Sequence, residues 1–126
     1  MERSERIILV GGELQTNMPN LLSSLAGQGF HVVQAPTTEE LEALLDDNSG
    51  AIIVAYGPRG DDTARRVLKT VAGAQRKIPV VVVVNEGNFD EYYELMCEGA
   101  YDYFELRDGA DVIERSVRWA VESRAA

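Results

Sequence analysis

The chain has 126 residues, 45% of them hydrophobic and 26% charged, with 12 Lys and Arg against 21 Asp and Glu and a net charge of −9. That is the size of one domain with one core, and the composition is neither disordered nor collagenous. So acidic a chain is a poor general nucleic-acid binder, because phosphate contacts need clustered cations.

Short apolar runs alternate with helical segments from end to end. Ile7–Val10 comes first and reads as a strand. Pro19 opens a helix whose apolar stripe is Leu21, Leu22 and Leu25, with Gly27 and Gly29 ending it. Val32–Val33 is the second strand. Thr37 and Glu40 have capping-box spacing ahead of Leu41, Leu44 and Leu45. Ile52–Ala55 is the third strand, after which Asp61 or Asp62 is placed to cap a helix carrying Ala64, Leu68 and Val71 on one face. Val80–Val84 is the fourth strand. Asn88 and Glu91 have cap spacing ahead of Tyr92, Leu95 and Met96, and Gly99 terminates that helix. Tyr103–Phe104 is the fifth strand, and Asp108 is placed to cap a last helix over Asp111–Arg124, with Ile113, Val117, Ala120 and Val121 on one face.

Nearly continuous β-branched runs predict strands covered on both faces, as in a parallel sheet. The order βαβαβαβαβα predicts an α/β three-layer sandwich, a five-stranded parallel sheet with five helices. Sites in such folds lie at the carboxyl ends of the strands, near the topological switch point. Those ends are Gly11–Glu13, Ala55–Gly57, Val84–Glu86 and Glu105–Arg107.

Three segments resemble those of response-regulator receiver domains. Gly99-Ala100-Tyr101-Asp102-Tyr103-Phe104 resembles that family's Gly-Ala-x-x-Tyr-hydrophobic run into the fifth strand. Gly29-Phe30-His31-Val32 resembles its lead-in to the second strand, and Ile78-Pro79 with five valines its fourth strand. The resemblance spans nearly the whole chain. It implies flavodoxin-like topology and a role in two-component or phosphorelay signalling. In that family a carboxylate ending the third strand accepts a phosphoryl group. An acidic pair ending the first strand helps hold a divalent cation. A Ser or Thr ending the fourth strand and a Lys ending the fifth contact the phosphoryl oxygens.

This sequence departs from the pattern at each of those positions. The acceptor position falls on Ala55 by strand end, or on Val54 if Pro58 sets the register. The acidic pair falls on Gly11 and Gly12, the hydroxyl on Val84, and the lysine-proline pair on Leu106 and Arg107. Slipping the first strand to recruit Glu13 would turn Ile7–Val10 inside out. The resemblance therefore implies a degenerate, atypical pseudo-receiver with no catalytic residue, no metal and no cofactor. Tyr103 occupies the family's switch-aromatic position, but its hydroxyl partner is replaced by Val84, so a fixed ring is expected.

Other motifs are weak. Gly11-Gly12 lacks nucleotide-loop spacing. His31 has no ligand cluster around it. Cys97 is the only cysteine, which excludes an internal disulfide and fits a reducing compartment. No apolar run reaches the ~18 residues of a membrane span, and the start MERSER lacks a signal peptide's apolar stretch. A cytoplasmic location is expected.

Charge is distributed unevenly. From Ile78 through Leu106 there is no Lys or Arg, while Glu86, Asp90, Glu91, Glu94, Glu98, Asp102 and Glu105 share that stretch with six aromatic rings. More rings occur than inward positions can take, so some are expected on a protein-binding surface. The expected surface comprises Asp90, Tyr92, Tyr93, Glu94, Tyr101, Glu105, Arg115 and Arg118. Its occupant is a protein partner or, weakly, a second copy, through the fourth helix, fifth strand and fifth helix. A basic group, Arg59, Arg65, Arg66, Lys69, Arg76 and Lys77, lacks the aromatic ladder of a nucleic-acid site. The expectation is a non-enzymatic bacterial signalling domain, residues 1–126, ahead of an output domain. Phosphorylation at an unconventional residue and a small-ligand sensor at the glycine-lined mouth are the alternatives.

Overall fold

The β-branched runs form one parallel sheet in a computed structural model that describes residues 6–11, 19–45, 49–56, 62–74 and 77–125. The strands are β1 (Arg6–Val10), β2 (His31–Ala35), β3 (Ser49–Tyr56), β4 (Val80–Val84) and β5 (Asp102–Glu105). The helices are α1 (Pro19–Gly27), α2 (Thr38–Leu44), α3 (Thr63–Gly73), α4 (Phe89–Cys97) and α5 (Ala110–Ala125), with a 3-10 turn at Leu106–Asp108. The strand order is β2-β1-β3-β4-β5, and every neighbouring pair is parallel.

Side-chain alternation along the strands builds two cores. Ile8, Val10, Ile52, Val54, Val80, Val82 and Val84 face α2, α3 and α4, where Leu41, Val67, Leu68 and Leu95 meet them. Ile7, Leu9, Ala51, Ile53, Ala55, Val81 and Val83 face α1 and α5, where Leu21, Leu25, Ile113 and Val117 meet them. All five valines of β4 are buried, as a central strand covered on both faces requires. Burying one such side chain stabilises by roughly 1.5–3 kcal/mol before chain entropy is counted.

The ends of the helices match the sequence reading in part. Thr37 Oγ1 accepts from the Glu40 N–H at 3.2 Å, and Asn88 Oδ1 from the Glu91 N–H at 2.8 Å. Gly29 and Gly99 have φ of +91° and +112°. Each ends a helix with the paired backbone bonds of a left-handed cap: Phe30 N–H to Leu25 and Ala100 N–H to Leu95.

Two expected caps are corrected. Asp62 makes no cap bond; its carboxylate pairs instead with Arg66 at 3.2 Å. Asp108 does not cap α5. It belongs to the 3-10 turn and accepts from the Glu105 N–H at 2.8 Å, while Glu105 accepts from the Asp108 N–H in return. Asp61 lies outside the described residues.

Candidate functional site

The switch point of this sheet lies between β1 and β3, whose ends meet at their carboxyl edge. Val10 is level with Val54 in the parallel register. Gly11 follows with φ of +95°, in the left-handed region. An ideal Cβ on Gly11 would lie 2.1 Å from the carbonyl oxygen of Ala55. Glycine is therefore needed twice over, for its φ and for its missing side chain.

The two candidate acceptor positions now separate. Val54 is fully buried and faces the α2–α4 layer. Ala55 is 6% exposed, faces the α1–α5 layer and lies beside Gly11. Val84 is 1% exposed, level with Tyr56 on one side and Glu105 on the other. Leu106 opens the 3-10 turn and packs against the α1–α5 core. Gly12, Glu13 and Pro58 lie outside the described residues.

These residues do not fit the divalent cation held at this strand end in the family that the sequence resembles. Gly11 has no side chain and no room for one, and Ala55 and Val84 carry no oxygen ligand on theirs. Among the described residues no three His, Cys, Asp or Glu side chains converge as a metal site. The carboxylate that does end a strand is Glu105, two strands from β3 and so about 10 Å across the sheet. It accepts from the Gly87 N–H at 3.2 Å and pairs with Arg107 at 3.2 Å. The Gly87 bond, followed by Arg107, holds its carboxyl below the usual carboxylate range. An open groove lined by Lys77, Pro79, Tyr101 and Ser123 lies at the amino ends of β4 and β5, away from Gly11.

Tyr103 is half-buried and held on three sides. Its hydroxyl donates to Glu91 Oε1 at 2.5 Å. Its ring meets the edge of Tyr92 at 5.8 Å between centroids and 73° between planes. Its outer edge lies against Gly87, where a Cβ would come within 2.5 Å of the hydroxyl. Burial first, then the Glu91 carboxylate, pushes the phenol well above its ordinary pKa of 10.

The expected contact surface is split by the structure. Phe89 and Tyr93 are 73% and 60% exposed, and Tyr92 and Tyr101 are exposed to 39% and 38%. Asp90 is exposed on the first turn of α4. Glu94 is bonded to Arg65 of α3, which also reaches Glu98 at 3.2 Å. Arg118 lies 3.7 Å from Glu114 on its own helix, and Arg115 is exposed. Trp119, 56% exposed, and Val112, 42% exposed, share the outer face of α5 with Arg115. Sequence reading missed them; the signal was the spacing 112, 115, 119, which repeats at helical period opposite the core stripe. His31 and Cys97 are both exposed.

No protein-family model matches the sequence, and no curated protein matches it. Solved structures do. FixJ-N aligns at 22% identity and a TM-score of 0.76, covering 97% of this chain and 96% of its own. The receiver domain of the Francisella response regulator 1452 aligns at 14% identity and 0.77, covering 95% and 98%. A response regulator receiver domain protein from Clostridium thermocellum aligns at 17% identity and 0.76, covering 96% and 97%. With its strand order, its two-sided helix layers and these likenesses over its length, the chain has the fold of a response-regulator receiver domain.

Proposed function

We propose that this domain is a signalling module of the response-regulator type that acts by protein–protein contact without taking up a phosphoryl group. The observation that carries the reading is the approach of Gly11 to Ala55, which leaves no space at position 11 for a side-chain ligand. Apolar side chains at Val54, Ala55, Val84 and Leu106 support it, since none can attack phosphorus or bind a phosphoryl oxygen. The ionised Glu105 at the end of β5 also disfavours a dianion there. A fixed Tyr103 fits a domain whose contact surface is permanently formed. No described helix is long and apolar enough to cross a membrane. The test is acetyl phosphate with magnesium, followed by intact-mass measurement. The expected outcome is no change, for the wild type and for Ala55→Asp alike. A stable gain of about 80 Da, one phosphoryl group, in the wild type would overturn the proposal.

A further inference from the structure

The first two turns of α4 carry a formed but uncovered aromatic cluster. Phe89 lies 6.1 Å from Tyr92 and 6.3 Å from Tyr93 between centroids, stacked on Tyr93 at 22°. Tyr92 in turn rests on the fixed Tyr103, so the cluster is tied to the sheet. Phe89 and Tyr93 nevertheless expose most of their surface. Glu86 and Asp90 flank them, exposed, and among the described residues no cation pairs with either. The next carboxylates along the helix, Glu94 and Glu98, are already paired, and what pairs with them is the guanidinium of Arg65.

We infer that this part of α4 is a docking site for an arginine-bearing segment of a partner protein, whose guanidinium groups lie over Phe89 and Tyr93 and pair with Glu86 and Asp90. Guanidinium suits the site better than ammonium: it is planar, stacks on ring faces and bonds carboxylates in a fork. A second copy fits less well, because it brings a further net charge of −9 to a face that is already acidic. The inference rests on the contact reading above and specifies its partner.

The experiment titrates the whole chain calorimetrically with a capped octapeptide alternating arginine and serine, and with its lysine counterpart. The arginine peptide is expected to bind at least about threefold tighter, the scale of exposed cation–π contacts. Phe89→Ala and Tyr93→Ala should each remove that preference. Both side chains are exposed, so the variants keep the fold, which circular dichroism checks. Asp90→Asn should weaken both peptides. Equal affinities, no binding of the arginine peptide, or a preference that survives Phe89→Ala overturns the inference. So does sedimentation showing a dimer that Phe89→Ala abolishes, since the occupant is then a second copy. Phosphoryl uptake would overturn the contact reading while leaving the arginine preference intact, so the two failures are distinguishable.

Discussion

The phenol of Tyr103 and the missing side chain of Gly87 are one device at the scale of single residues. The ring occupies the space a Cβ at Gly87 would need, and the hydroxyl finds in Glu91 an acceptor that Val84 does not offer. Tyr103→Phe removes the donor and leaves a partly buried carboxylate one bond short, at a cost of about 1 kcal/mol. The pH dependence has a definite sign. A phenol whose folded-state pKa is raised contributes stability that is fully present below its unfolded value of 10 and declines as pH rises through the folded one. Wild type should therefore start to lose its advantage over Tyr103→Phe once the pH passes 10, and lose more of it with each further rise, in urea denaturation. An advantage that stays constant across that rise would refute the assignment. Gly87→Ala should push the ring outward and return the phenol toward ordinary titration, read by its ultraviolet absorbance in alkali.

Caps show what a sequence discloses at the scale of elements. Asn88 and Thr37 both bond the N–H three residues on, so Asn88→Ala and Thr37→Ala should each cost about 1 kcal/mol. Asp62 stands at the same kind of position without the bond, and its exposed pair with Arg66 is worth only about 0.3–0.5 kcal/mol. Asp62→Ala should therefore change the urea midpoint far less than either of the others; an equal loss would mean that Asp62 caps α3 in solution. The difference was not legible, because Asp, Asn and Thr are equivalent as letters and differ only in where the preceding loop aims them. Asp108 misled for a related reason. Its carboxylate had a nearer donor in Glu105, which tightened the chain into a 3-10 turn and started α5 at Ala110. The strands β1 and β4 were legible almost to their ends because both faces are covered, whereas the expected third strand, Ile52–Ala55, is only part of β3 at Ser49–Tyr56. Of β2 and β5 only part was legible, because these edge strands are mostly exposed or half-buried and lack a continuous apolar run. At the candidate site, residue types alone showed the missing carboxylates, but not that Gly11 approaches Ala55 too closely to admit one.

The molecule as a whole carries its charge unevenly, and that has a consequence for stability. With 21 acidic against 12 basic residues, the folded state confines more like charge than the unfolded chain does. Opposing this are the ion pairs of Arg65 with Glu94 and Glu98, Arg66 with Asp62, Arg107 with Glu105, and Arg118 with Glu114. Most are exposed, and such pairs contribute about 0–1 kcal/mol each. Salt screens both effects, but not equally in kind: pair energies are local, whereas repulsion sums over every uncompensated carboxylate within a Debye length of about 10 Å at 0.1 M. Glu86, ahead of α4, and Asp90, on its first turn, belong to that set, since no cation among the described residues pairs with either. Repulsion should win, so Tm should rise by a few degrees between roughly 20 and 200 mM sodium chloride, a range over which the Debye length falls through about 10 Å. Asp90→Asn should start higher and rise less, because it removes one member of the repelling set without touching a pair. A Tm that falls with salt would mean that the Arg65 network holds α3 to α4 more strongly than exposed ion pairs ordinarily do, and α4 would then owe its position to that bridge more than to Leu95 in the core.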